Sequence, residues 1–431
     1  MKTVVSYAYY ENIRSMYNLD FFAQVGITND PNTLFIIVIN GFNCSIELPK
    51  YDNCIIIKRE NRGFDFGAHR ASIDYLLNLY KCNNIREIPF DYFIFMNDGV
   101  IGPFLPKYFP SNIPWTNIFT SQLNDKIKLI GTSLVCFAYD VPTGKGPHIE
   151  SFCFCLDKIG LEIVMNTKTI FIDHKTKTEA VNNGEYGLSK AILNAGYSLD
   201  CLLYKYQNID WSNIQNWVNV NNSTFPSRNN TYDNITIHPF EVVFHKWFWA
   251  YEASVNFSYV VKYKKWKLNE IINKKNFHAT FGNGEFMINV TNAVSSFFVD
   301  GKLIIPIDYY NNVILQNIAK HLNVPIYGLN INIKGNSYQI PYRINVPVEI
   351  FIDNIFNIQA YYGCPDFKIE VVNKFMNTFI KNNKIIMPKD CDFNKCFNDV
   401  CPGTKKHLYI KINNDEYIVN GNNDKEIVIN L

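Results

Sequence analysis

Phe93–Phe104 reads FIFMNDGVIGPF, an apolar run that ends in Asn97-Asp98-Gly99. Tyr92–Met96 predicts a strand, and Asn-Asp-Gly predicts the turn that closes it. Outward from this segment, Thr3–Tyr9, Thr33–Asn40, Cys54–Lys58 and Lys128–Val135 share its β-branched and aromatic composition, whereas Asn18–Val25, Gly67–Tyr80 and Glu185–Ala195 carry helical patterns. Such alternation predicts an α/β domain with a mostly parallel sheet over residues 1–255. In sheets of that kind ligands gather at the carboxyl ends of the strands.

The chain has 431 residues, too many for one ordinary core. With 47% apolar and 15% aromatic residues it can fill substantial cores, which excludes a disordered protein. Its 41 basic and 39 acidic residues leave a net charge of +2, too little to hold a polyanion, so no nucleic-acid partner is expected. The opening stretch MKTVVSYAYYENIRS lacks the apolar centre of a signal peptide, and no apolar run approaches the roughly 18 residues of a membrane span. The expectation is a cytoplasmic protein with no transmembrane segment, whose eleven cysteines are mostly free thiols.

The polar, basic stretch Tyr259–Asn276 (YVVKYKKWKLNEIINKKN) separates this domain from a region of different spacing, and residues 256–277 read as a linker or solvated helix. Beyond it the sequence repeats. Ala279–Val290 (ATFGNGEFMINV) aligns with Ala360–Val371 (AYYGCPDFKIEV), and Lys302–Pro306 (KLIIP) with Lys384–Pro388 (KIIMP). Leu329–Ile340 (LNINIKGNSYQI) aligns with Leu408–Val419 (LYIKINNDEYIV). The alternation within these runs predicts half-buried strands joined by turns, and therefore two tandem small β-rich modules, 278–356 and 357–431.

Three segments carry candidate chemistry. A strand that delivers Asp98 to the sheet's carboxyl edge suits a divalent metal that stabilises a leaving diphosphate, although Asn-Asp-Gly is equally a plain turn. In Glu60–Arg70 (ENRGFDFGAHR), Gly63 and Gly67 permit close backbone approach, while Asp65 and Arg70 supply polar contacts; the glycine spacing suits a sugar or diphosphate better than a dinucleotide. Glu185 opens a helix, where a carboxylate either favours the helix dipole or serves as a general base.

Together, ENRGFDFGAHRA (Glu60–Ala71), MNDGVIGPF (Met96–Phe104), HIESFCFCL (His148–Leu156), GEYGLSKAILNAGY (Gly184–Tyr197) and HPFEVVFHK (His238–Lys246) resemble the rhamnan-synthesis F type of polysaccharide glycosyltransferases and the similar domain of large-virus surface-glycan enzymes. The resemblance implies a GT-A fold, a Rossmann-like sheet that binds a nucleotide-sugar donor with Mn2+ or Mg2+ and passes the sugar to a glycan acceptor. The sugar would be a hexose or deoxyhexose, rhamnose by analogy, carried on UDP or dTDP. For a viral source the location would be host cytoplasm or virion.

By the same likeness Tyr7 would lie near the base, and Asp65 with Arg70 near the ribose or donor sugar. Asn97 and Asp98 would meet the diphosphate, Asp98 the metal, and Glu185 would be the base of an inverting reaction. The matching stretches also offer His148 and Glu150 to the acceptor, as does Trp247, which follows the last of them. One departure stands out: the Asp-x-Asp of GT-A enzymes is here Asn97-Asp98-Gly99, so His238 or His245 becomes a candidate to complete the metal site, against a structural role for each. The aromatic residues Phe244, Trp247, Phe248, Trp249 and Tyr251 fit core packing or a sugar platform. Cys391, Cys396 and Cys401 have no standard zinc spacing and read as thiols. The missing second Asp also motivates the alternative of a non-catalytic glycan-binding scaffold.

Overall fold

The computed structural model of the chain describes residues 2–137, 146–217, 224–246, 258–272, 275, 277–283, 286–299, 302–322, 328–333, 336–351, 358–365, 367–381, 384–398, 404–412, 415–420 and 425–430. It divides into two compact units, Met1–Leu268 and Asn269–Leu431. Among the described residues no helix is long and apolar enough to cross a membrane.

The first unit is built on a seven-stranded sheet in the order β3-β2-β1-β4-β8-β5-β9. Its strands are β1 Thr3–Tyr10, β2 Thr33–Asn40, β3 Cys54–Arg59, β4 Tyr92–Asn97, β5 Ile127–Gly131, β8 Cys153–Asp157 and β9 Ser198–Cys201. β1, β2, β3 and β4 are parallel neighbours, as are β5 and β9. β8 alone runs against its neighbours, between β4 and β5. The result is a mostly parallel, Rossmann-like α/β sheet.

The expected strand Lys128–Val135 is interrupted at Thr132-Ser133: β5 stays in the large sheet, while β6 (Leu134–Phe137) pairs with β7 (Gly146–Ile149) in a separate two-stranded sheet. β8 itself has no counterpart in the strands expected from sequence.

The buried strands explain why a parallel sheet forms. Seven of the eight residues of β1 are buried, and β2 (TLFIIVIN) is buried almost throughout, as strands covered on both faces must be. Helix α1 (Ile13–Val25) covers one face: Asn12 caps it by accepting from the Ser15 backbone N–H, and the Ser15 hydroxyl accepts from the Asn12 N–H in return. On this side Tyr7 stacks on Phe22 with ring centroids 5.0 Å apart. Helix α2 (Phe64–Tyr80) covers the other face, where Ser6 bonds both His69 Nδ1 and Ser72. The basic segment forms the helix Ser258–Ile272, and its buried Lys264 donates to Tyr17 O on α1 and lies 3.7 Å from Asp20. The first unit therefore runs past residue 255.

In the second unit the aligned stretches occupy equivalent strands. Phe277–Asn283 pairs with Phe286–Asn289 and with Gly328–Ile333, which pairs with Asn336–Ile340. Ile358–Cys364, Phe367–Glu370, His407–Ile412 and Asp415–Asn420 repeat that order. Two three-stranded sheets recur likewise, one holding Lys302–Ile305 and Val348–Phe351, the other Lys384–Met387 and Ile427–Asn430. Helices interleave with these sheets, among them Val313–Leu322 and Val372–Phe379, which the expected β-rich modules did not include.

Candidate functional site

β2 and β3 lie on one side of β1 and β4 lies on the other, so the order of the parallel strands reverses between β1 and β4. At such a switch the connections leave in opposite directions and open a crevice beyond the carboxyl ends of the strands. A cavity of about 480 Å³ occupies this place. Its walls are the ends of β1 (Ala8, Tyr9, Tyr10), β2 (Asn40) and β4 (Asn97), followed by Asp98 and Gly99. Asn61, Phe64 and Asp65 from the start of α2, together with Lys246, complete it.

The Asn97-Asp98-Gly99 turn is held from three sides. The Asp98 N–H donates to Ala8 O, its carbonyl accepts from Asn18 Nδ2, and Asn97 Oδ1 accepts from the Gly99 N–H. Asp98 Oδ2 accepts from the Tyr10 N–H at 2.7 Å. Burial pushes the Asp98 carboxyl up to about 7; the Tyr10 hydrogen bond opposes this and the neighbouring Asp65 charge adds to it. Asn97 Nδ2 donates to Asp65 Oδ2 at 2.9 Å and so fixes that carboxylate at the cavity wall. Asn97 thus orients an acid from another segment.

The glycines of the Glu60–Arg70 segment serve a different contact from the one expected. A Cβ on Gly63, whose φ is 72°, or on Gly67 would collide with the Asp173 carboxylate. Asp173 is clamped by Arg59 Nη2 at 2.5 Å and Arg62 Nε at 2.9 Å. The close approach is internal to the protein.

Glu185 ends a π-helical turn, Ala180–Glu185, and precedes the helix Tyr186–Asn194. Its side chain makes no capping bond and accepts from Ser151 Oγ at 2.7 Å. Burial raises its pKa, while Ser151 and Lys246 pull it back. A carboxylate directed away from the helix end it could cap, on a π turn, has the features of a functional position.

The other expected residues lie elsewhere. Tyr7 is 1% exposed beneath α1, with its ring on Phe22, so the exposed face at the end of β1 belongs to Tyr10. Arg70 pairs with Asp74 one helical turn on and does not line the cavity. His148 is buried edge-on against Tyr186 at 4.4 Å. Glu150 is buried with its oxygens accepting from Ser133 and Ser227, a structural clamp rather than an open acceptor contact.

His238 caps the short helix Pro239–Val242 through Nδ1, and His245 is buried with Nε2 on Ile237 O. Desolvation lowers the pKa of both, to about 4 for His245. Neither lines the cavity. Phe244 packs in the core against Trp115, Phe119 and Phe22. Trp247, Phe248, Trp249, Tyr251 and Cys401 lie outside the described residues.

Asp65 and Asp98 bring two carboxylates to one cavity, and among the described residues no three His, Cys, Asp or Glu side chains gather as a metal cage. This donor set fits a hard cation of the Mg2+ type, which takes one or two carboxylates and completes its shell with phosphate oxygens and water. It does not fit the expected carboxylate–histidine set.

Residues the sequence reading missed are Tyr10, Asn40, Asn61, Phe64 and Lys246. The signal for four of them was their position within two residues of a strand's carboxyl end or at a helix start. Lys246 closes the stretch HPFEVVFHK, but its place at the cavity depends on a bridge between Ile101 and His245 that no local pattern shows.

No protein-family model and no curated protein sequence matches the chain. Among solved structures, the protein A197 from STIV is 11% identical, with 38% of this chain and 68% of that chain covered and a TM-score of 0.19. The glycosyltransferase GlyE from Streptococcus pneumoniae TIGR4 is 11% identical over 46% of this chain and 44% of its own, with a TM-score of 0.24. The chain thus spans less than half of GlyE, and neither likeness defines a family for it.

Proposed function

We propose that the first unit is a nucleotide-sugar-dependent glycosyltransferase and that the cavity at the β1/β4 switch binds the donor. The observation that carries this reading is the meeting of Asp65, Asn97 and Asp98 at the carboxyl edge of a parallel sheet; Glu185 is not among the residues that line the cavity, and its proposed role stands on its burial and its bond to Ser151. Asp98 and Asp65 would hold a Mg2+ or Mn2+ ion, which supplies Lewis-acid stabilisation of the departing diphosphate. Tyr10, half exposed at the cavity wall, offers its ring to the nucleotide base.

In a single inverting displacement Glu185 takes the proton of an acceptor hydroxyl as the hydroxyl oxygen bonds to the anomeric carbon on the face opposite the diphosphate, whose bond to that carbon breaks. Ser151 orients Glu185 and favours its ionised form. The order of motifs supports the finer reading: a rhamnan-synthesis F type enzyme moving a hexose or deoxyhexose from UDP or dTDP to a surface glycan. The repeated sheets of residues 278–356 and 357–431 are two modules that present or position that glycan.

A panel of UDP- and dTDP-sugars, assayed for hydrolysis and transfer with and without Mn2+, tests the proposal. Donor turnover that Asp98→Ala abolishes is the expected result. No donor binding, together with glycan binding by the full chain, would instead make it a scaffold with a degenerate transferase domain.

A further inference from the structure

We infer that Lys246 is a diphosphate-binding residue of the donor cavity, a role that rests on the glycosyltransferase reading. It is the single cation among the described residues that line the cavity, and it shares that wall with Asp65 and Asp98. Its backbone is fixed there. His245 donates to Ile101 O and accepts from the Ile101 N–H, at 2.8 and 3.0 Å, which places Lys246 beside the strand segment that leaves the Asn97-Asp98-Gly99 turn. Phe104 N–H donates to Val243 O at 2.8 Å and extends the attachment.

The side chain crosses the face of Phe152, its Nζ 4.7 Å from the ring centroid, and Phe152 O accepts the Asn97 N–H. The ammonium is therefore carried over a ring whose own backbone is bonded to the turn, and its charge favours the ionised form of Glu185.

Charge explains why a cation belongs there. Asp65 and Asp98 already place two negative groups at the wall, and a nucleoside diphosphate adds more. One divalent ion does not neutralise that sum. An ammonium on a flexible stem meets phosphate oxygens as a point charge and needs no fixed bidentate geometry. The competing role is a countercharge for Glu185 alone, which would affect proton transfer and leave diphosphate affinity untouched.

The test is calorimetry on the full chain with UDP, dTDP, uridine and thymidine, with and without Mg2+, for the wild type, Lys246→Met and Lys246→Arg, each checked for folding by its thermal transition. The expected result is that Lys246→Met weakens the diphosphates about ten- to a hundredfold, the scale of a charge-assisted hydrogen bond, and leaves the nucleosides unchanged. Lys246→Arg should keep most of the affinity. Equal loss for nucleosides and diphosphates, or unchanged diphosphate binding by folded Lys246→Met, overturns the role. A wild type that binds neither diphosphate overturns the glycosyltransferase reading itself, and the inference with it.

Discussion

Asp98→Asn should make the protein more stable at pH 8 while abolishing its activity. The folded carboxyl titrates near 7 against an ordinary value of 3.8, because ionisation occurs in a desolvated cavity beside Asp65. The folded state therefore binds more protons than the unfolded state between those values, and stability falls as pH rises through that window. A difference of about three pH units corresponds to roughly 4 kcal/mol at 1.36 kcal/mol per unit, and the open side of the cavity reduces it to roughly 2–4 kcal/mol.

Asparagine copies the protonated acid. It can still accept from the Tyr10 N–H, and it never ionises. Urea unfolding at pH 4 and pH 8 measures the effect: wild type and variant should nearly coincide at pH 4, and the variant should lead by that margin at pH 8. Added Mg2+ should stabilise the wild type and not the variant at pH 8. An Asp98→Asn protein that is less stable than wild type at pH 8, or that differs from it equally at both pH values, would refute the reasoning.

Glu185→Gln should lower kcat by about a hundred- to ten-thousandfold, the range of general-base catalysis, with donor affinity kept in calorimetry. Ser151→Ala removes the hydrogen bond that favours the Glu185 carboxylate, so the acidic limb of the pH–rate profile should move to higher pH while donor affinity stays fixed. Gly67→Ala pushes a methyl group into the Asp173 carboxylate and should cost about 1–3 kcal/mol in urea unfolding, with the start of α2 showing faster amide exchange. Lys264→Met leaves Asp20 buried without its cation and should cost about 3–5 kcal/mol, most of it recovered when Asp20→Asn is added.

Much of the first unit was legible because its strands are uniform. β2 and β4 are nearly continuous apolar runs, β1 is broken only by Ser6 and β3 begins with an apolar run before Lys58 and Arg59, and the point where β4 stops delivered Asn97 and Asp98 to the site. The start of α1 was also written in the sequence, in the reciprocal pair Asn12 and Ser15, but the helical pattern alone placed it five residues late. Direction was not legible. Nothing in CFCLD shows that β8 is antiparallel, because a strand buried on both faces has the same composition either way.

Parity could have separated two tyrosines: successive strand residues face opposite sides, so Tyr7 goes beneath α1, whereas Tyr10 closes the strand at the cavity. His148, Glu150, His238 and His245 show the limit of reading residue types. Each is polar and well placed in a motif, and each is committed to the protein's own framework. That commitment lies in partners such as Ser227 or Ile237, which no local pattern reveals.

The reversed strand has a consequence for chain assembly. β4 and β5 are complete by Gly131, yet the strand that joins them begins only at Cys153. A growing chain therefore holds the half-sheet β3-β2-β1-β4 with the edge of β4 open and β5 as a lone strand, because β9 follows later still, and it must refuse the direct pairing of β4 with β5 until the wedge arrives. Ser151 and Phe152, which support Glu185 and Lys246, enter with that wedge. The donor turnover proposed above should therefore be found only in molecules whose sheet has closed, and a chain trapped with β4 on β5 should be silent rather than weakly active.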